Sequence, residues 1–323
     1  MNMPTKSKVV LRSTAGTSVD QAVREAMDAC DWHSLVGRND HVVLKPNLCT
    51  PLPEWVEAAN TSIDVCRAVC RVLLERTGNI SLVESDGIRY TAQQAFEGSG
   101  YVALGRELGL PLVNLSRTAW TKVECAPVGE VELPRMVLSA DAFITLPVLK
   151  THGLTYFTGA LKNQWGCMPQ FNRIMYHSWL DQMLASLHAI FRPKLAVMDG
   201  IVAMEGHGPV AGKARRLDLI LASRDGVALD ASAMRLVGLS PERARHVVLA
   251  SAQGLGNFEP RDIELDGDWV AHATHFEPGS IDWANRIETR MSRYRWFVKY
   301  VLERDLIYEP IRSTVKLIRR FAA

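Results

Sequence analysis

Three features of this 323-residue chain predict an α/β fold with a mainly parallel sheet flanked by helices. Short runs rich in β-branched residues alternate with longer amphipathic stretches, the pattern of parallel strands joined by helices. The composition, 47% hydrophobic and 22% charged, is enough to bury a large core and argues against global disorder. Polar residues recur directly after the strand candidates, where open parallel sheets hold their ligands.

The elements follow in order. Strands are expected over Lys8–Arg12, His41–Lys45, Asn79–Glu84, Pro111–Leu115, Ala142–Pro147, Lys194–Met198 and Asp218–Ala222. Helices are expected over Ser18–Leu35, Ile63–Thr77, Ala92–Leu108, Ser178–Phe191, Gly226–Gly238 and Glu242–Ser251. In Ile63–Thr77, the residues Val65, Val69, Val72 and Leu73 mark one apolar face. Glu124–Pro134 reads as a small hairpin or a pair of edge strands. Residues 1–252 thus form an α/β catalytic body, with two lobes, 1–140 and 141–252, as one arrangement of it. Residues 253–280, with Gly254, Gly256, Pro260, Pro278 and Gly279, read as an irregular linker, and 281–323 as a basic amphipathic helical tail.

The formal charge of +2 is too small for a nucleic-acid binder. The tail alone is strongly basic, with ten Lys and Arg against five acids. Trp296, Phe297, Tyr300, Leu306 and Tyr308 are interleaved with those cations. That pattern suits peripheral contact with an anionic membrane or a protein partner, although a C-terminal helix packed on the body with its arginines in water is the favoured reading. No apolar run reaches the ~18–20 residues of a membrane span, and Met1–Arg12 does not read as a secretory signal. Six scattered cysteines without a CxxC pair fit reduced thiols, and the expected location is cytoplasmic.

Candidate chemistry gathers in two stretches. The strand ending at Pro147 runs into Lys150 and His152, and Lys162, Asn163 and His177 follow. Lys and His are the side chains whose pKa moves most readily into the range for proton transfer. Asn163 can donate to a developing oxyanion, while Lys162 balances its charge. The glycines Gly153, Gly159 and Gly166 permit a close backbone approach. The second stretch, Asp199–Arg216, reads as an anion loop. Gly206, Gly208 and Gly212 would turn N–H groups inward around His207, and Lys213, Arg215 and Arg216 would supply charge. The plainer alternative is a surface hairpin. The loop lacks the GK[ST] of a phosphate-binding Walker loop and does not open a helix as GxGxxG does. Asp199 and Glu205 are the acids of this region, and either is a candidate to hold Lys150 or Lys162 by an ion pair or to act as a general base. Asp225 is best read as an N-cap, and Asp230 can face the crevice. Lys45 and Asn47, Glu84 to Asp86, Lys150 to His152 and Asp199 all follow strand ends, so four polar turns are expected to converge on one crevice. No HExxH or comparable pair supports a metal site from His152, His177 and an acid.

Several separated motifs carry a resemblance over roughly residues 40–240. They are Val43–Leu48 (VLKPNL), Leu146–His152 (LPVLKTH), Gly159–Asn163 (GALKN), His177, Asp199–Ile201 (DGI), Met204–Pro209 (MEGHGP) and Asp225–Asp230 (DGVALD). With these motifs the chain resembles the domain of unknown function 362 family. Many members are similar to iron–sulfur proteins, through an attached ferredoxin-like cysteine module. This chain has no iron–sulfur cluster motif, so cluster binding is not carried over and the cofactor stays open. In layout the family is also similar to nickel-dependent lactate racemases, which use His and Lys to move a proton at a hydroxy acid. The expectation is an enzyme acting on a small carboxylate- or phosphate-bearing metabolite by Lys/His acid–base chemistry, of isomerase, epimerase, cyclase or lyase type. Lys150, His152, Lys162, Asn163, His177 and Glu205 would be catalytic, and Lys45, Asn47, Asp199 and the Gly206–Arg216 loop would position the anion. Two alternatives stand beside it: a redox or metal-dependent protein that takes its cofactor from a partner, and a non-catalytic binding protein. An absorbance spectrum and metal analysis separate the first, and ligand binding without turnover marks the second.

Overall fold

The computed structural model describes residues 6–280 apart from Ile88 and Gln170, together with residues 287, 289–291, 294, 296 and 300. The strands among them are β1 (Ser7–Ser13), β2 (Val42–Pro46), β3 (Ile80–Glu84), β4 (Leu112–Asn114), β5 (Trp120–Cys125), β6 (Gly129–Pro134), β7 (Ala142–Leu146), β8 (Val148–His152), β9 (Tyr156–Phe157), β10 (Leu195–Glu205), β11 (Lys213–Ser223) and β12 (Ile263–Asp266). The helices are α1 (Val19–Ala29), α2 (Pro53–Ala59), α3 (Ile63–Leu74), α4 (Ala92–Gly98), α5 (Tyr101–Leu108), α6 (Arg135–Leu138), α7 (Gly159–Asn163), α8 (Leu180–Phe191), α9 (Gly226–Leu236) and α10 (Arg245–Ala252).

The protein is α/β, with strand order β12-β1-β11-β10-β7-β2-β3-β4 in the main sheet. From β10 through β7, β2 and β3 to β4 the ladders are parallel, whereas β11 runs antiparallel to both β10 and β1. One face is covered by α1, α3 and α5. There Val23, Met27, Val69 and Leu73 pack on Leu44, Leu82, Ile144 and Val197. On the other face α9 and α10 cover the β1–β11 side, and α8 with the β5–β6 hairpin covers Val43, Val83 and Phe143. The predicted face of α3 is buried, and Ser62 caps the helix by accepting from the Asp64 N–H. Asp225 caps α9 as expected, accepting from the N–H groups of Val227 and Ala228.

Four expectations are corrected. The 92–108 helix is two helices, because Gly100 takes a left-handed φ of 77° between them. The stretch 199–216 is mostly strand, since β10 continues to Glu205 and β11 begins at Lys213, with a bulge between Gly200 and Val202. The 253–280 linker contains β12, which pairs in parallel with β1 at the sheet edge, and Phe276 is buried in the core. The main sheet also draws neighbouring strands from both proposed lobes: β1 lies beside β11, and β2 beside β7. The basic tail falls almost wholly outside the described residues.

Candidate functional site

Beyond Leu146 the sheet divides. The β2–β7 ladder ends with Pro46 opposite Leu146, while the chain passes through Pro147 and β8 stays on β10, pairing Val148 with Asp199 and Lys150 with Met204. Into this division come the turn after β2, the turn after β3, helix α2 and helix α7. The predicted convergence therefore exists for three of the four polar turns, those after β2, β3 and β7.

Lys45 is buried and its Nζ donates to Glu84 Oε2 at 2.7 Å. Gly166 is required beside this pair, because a Cβ there would lie 2.8 Å from Lys45 Cε. Lys150 is 0% exposed, and its Nζ donates to Ala59 O (2.6 Å), Pro209 O (3.1 Å) and Cys49 Sγ (3.2 Å). Three acceptors match the three protons of an ammonium. Burial nevertheless pulls its pKa down, against the attraction of Cys49. Arg173 donates to Ser85 Oγ and to Met168 O, each at 2.6 Å.

Lys162 differs from these cations. It is half-buried and makes no hydrogen bond or ion pair among the described residues. Burial pushes its pKa down to about 8; Cys49 opposes that shift, and Lys150, Arg173 and Lys45 add to it. His152 is buried and its Nδ1 accepts from the N–H groups of Leu154 (3.0 Å) and Thr155 (3.3 Å). The proton of the neutral ring is thereby fixed on Nε2, which has no partner among the described residues. Burial, then Lys162 and Lys150, holds the His152 pKa well below the usual imidazole range. His177 packs against Trp165 with ring centroids 5.9 Å apart, and its pKa is pushed down to about 3 by burial, Lys162 and Arg173. Neutral imidazoles and excess positive charge thus meet at one place.

Helix α7, which carries Lys162 and Asn163, is anchored from α9. Asp230, fully buried, accepts from Ala160 N–H (2.6 Å) and Leu161 N–H (3.1 Å). Gly159 starts the helix at φ 58°, where a Cβ would lie 2.2 Å from the Asp230 carboxylate. Burial pushes the Asp230 pKa up to about 8, against those two amides.

Several predicted residues prove to be occupied. Asn163 Nδ2 donates to Lys45 O and Thr145 Oγ1, so the amide holds β2 to β7 and has no donor left for an oxyanion. Asn47 Nδ2 donates to Ala59 O and its N–H to Thr61 Oγ1. Asp199 accepts from Ser62 N–H and Ile201 N–H and thereby ties β10 to the start of α3; burial raises its pKa to about 6. The glycine loop is a hairpin end, not an anion cradle. Gly206 N–H donates to Glu277 O, and Gly208 N–H to Gly206 O. Its charges are matched locally: Arg215 and Lys213 pair with Glu205, and Arg216 with Asp218. Glu205, held by Arg215 at 2.8 Å, lies below its usual pKa despite burial, which is wrong for a base. His207 is exposed, near Ser280 Oγ. The hairpin still adjoins β8, through Lys150 Nζ to Pro209 O and Gly153 N–H to Gly208 O.

Sequence reasoning overlooked Cys49 and Arg173. Cys49 stands two residues after Asn47 in the polar turn after β2, which was the available signal. Arg173 lies in a 3-10 stretch, Phe171–Trp179, with no signal of its own. Among the described residues no three His, Cys, Asp or Glu side chains gather as a metal-binding group. A separate apolar depression of about 310 Å³ on α9 and the β12 region holds Arg235 as its one ionisable residue and none of the predicted site residues.

A family model described as a domain of unknown function (DUF362) matches residues 42–235, from β2 to α9. The thylakoid-associated protein sll1697 of Synechocystis sp. is 30% identical over 239 residues, 72% of this chain and 73% of that protein. Among solved structures, the lactate racemase apoprotein from Thermoanaerobacterium thermosaccharolyticum aligns at 11% identity and a TM-score of 0.44, over 70% of this chain and 58% of that one. A Thermotoga maritima protein aligns at 12% identity and a TM-score of 0.41, over 75% of this chain and 60% of its own. No helix among the described residues is long and apolar enough to cross a membrane.

Proposed function

The chain belongs to the domain of unknown function 362 family, and from the site it carries within that domain we propose an enzyme for small carboxylate- or phosphate-bearing metabolites that works by proton transfer. One observation carries the reading: Lys162, without a partner among the described residues and with its pKa near 8, acts electrostatically on a neutral His152 whose Nε2–H is likewise unclaimed among them. An amine in that range is partly neutral at physiological pH and can remove a proton from carbon. Lys150 and Arg173 supply positive charge for the substrate anion, and the Nε2–H of His152 stabilises oxygen charge that develops next to the reacting carbon. This assigns His152 the role of donor rather than base, since its Nδ1 is engaged by two backbone amides. The reaction class is isomerisation, epimerisation or elimination next to a carboxylate. We read the location as cytoplasmic, consistent with six free cysteines.

The test is solvent exchange. A panel of 2-hydroxy acids, 2-oxo acids and phosphorylated acids incubated with the full chain in D2O should yield one class that gains deuterium at carbon, followed by NMR. Lys162→Ala and His152→Ala should each lower that exchange by about 10²-fold or more. Folded variants that exchange at the parent rate would overturn the assignment.

A further inference from the structure

Cys49 is half-buried, whereas the other five cysteines, Cys30, Cys66, Cys70, Cys125 and Cys167, are buried. Its sulfur faces Lys150 at 3.2 Å. Among the described residues Lys150 has no carboxylate in contact. Its other two partners are the carbonyls of Ala59 and Pro209, which accept hydrogen bonds but carry no charge. Of the three acceptors around this fully buried ammonium, only the sulfur can provide a counter-charge. Asn47 Oδ1, 3.4 Å from Sγ, accepts the proton of the neutral thiol. A second, independent feature points to a ligand here: His152 projects from the same face of β8 as Lys150, two residues away, is 6% exposed, and its Nε2–H has no partner among the described residues.

We propose that Cys49 is a nucleophilic thiolate held by Lys150, and that the site takes small carboxylates bearing an electrophilic carbon into covalent contact with it. This rests on the cation cluster of the proposed function but adds a role that proton transfer does not require. Toward a 2-oxo acid the step balances simply. The thiolate sulfur forms a bond to the carbonyl carbon, the π electrons move to the oxygen, and that oxygen takes a proton from the Lys162 ammonium. A carboxylate is selected because Lys162 and Arg173 surround the approach with positive charge. A thiolate paired with a cation reacts near neutral pH, where an ordinary thiol is largely protonated.

Alkylation of the full chain by iodoacetate and by iodoacetamide tests this, with the labelled cysteine identified by peptide mass mapping. Each probe forms a C–S bond and releases iodide, and only iodoacetate carries a carboxylate. At pH 7 Cys49 should be the first cysteine modified, and iodoacetate should react about tenfold faster than iodoacetamide. Lys162→Met should bring the ratio of the iodoacetate rate to the iodoacetamide rate down to near one. Equal rates for the two probes, or another cysteine modified before Cys49, would overturn the proposal. Binding of inorganic phosphate, measured by calorimetry on Cys49→Ser, separates the two readings. If that variant binds while alkylation is unselective, only the thiolate role falls. If neither the variant nor the wild type binds phosphate and alkylation is unselective, the shared cation cluster falls with it.

Discussion

At the residue scale, Lys162 has its charge state set by its surroundings rather than by a partner. Burial and the cations Lys150, Arg173 and Lys45 bring its pKa down to about 8, against the pull of Cys49. The sign follows directly: above that value the amine is neutral and no longer attracts an anion. Phosphate or carboxylate affinity should therefore weaken about tenfold between pH 7 and pH 9. Calorimetry across that range checks it, with Lys162→Arg expected to keep its affinity throughout because a guanidinium does not titrate there. A flat wild-type profile would remove Lys162 from the anion site. Lys150 and His152 were legible in the sequence as chemistry-bearing residues, but their roles were not. The three acceptors around Lys150 and the two amides on His152 Nδ1 decide those, and they come largely from the fold.

At the element scale, α7 spans five residues, too short for an independent helix, and depends on the carboxyl group that α9 presents to its first amides. Replacing Asp230 by Ala leaves two buried N–H groups without an acceptor and should cost about 2–4 kcal/mol in urea unfolding. The pH dependence has a defined sign. The folded-state pKa, about 8, lies above the ordinary 3.8, so the native chain holds this proton more tightly than the unfolded chain does. Ionising it costs stability, and the wild-type urea midpoint should carry a component that falls as pH rises from about 4 to about 8. Asp230→Asn should lack that component; an unchanged pH profile in that variant would show that the carboxyl titrates normally. The GALKN motif was visible in the sequence, and so was Asp230, noted as able to face the crevice. That the two form one device was not visible, because 70 residues separate Ala160 from Asp230.

At the scale of the whole molecule, the sheet closes through a segment that composition marked as a linker. Glycine and proline in 253–280 obscured a four-residue strand whose Asp266 pairs with Arg12 at 2.9 Å on β1. Phe276 then turns inward, 4% exposed, under Arg215, and Glu277 N–H donates to Glu205 Oε2. Phe276→Ala should lower stability by about 3–5 kcal/mol in urea denaturation, the range for deleting a buried aromatic. A loss below about 1 kcal/mol would return this segment to the status of a linker. The same closure explains the hairpin at Gly206: its amides meet Glu277 and its own backbone, so they are not turned toward a ligand.

The sequence by itself determined the α/β architecture, the family and the strand-end turns from which Lys45, Lys150 and His152 arise. Those depend on periodicity and on local motifs, which are properties of neighbouring residues. Only the tertiary structure decided which polar groups remain free to act. Asn163 is spent on Lys45, 118 residues away, and Lys150 binds Ala59 and Cys49, 91 and 101 residues away. Hydrogen-bond donors and acceptors are claimed through space, so a list of reactive side chains becomes a site only when the fold shows which of them still lack a partner.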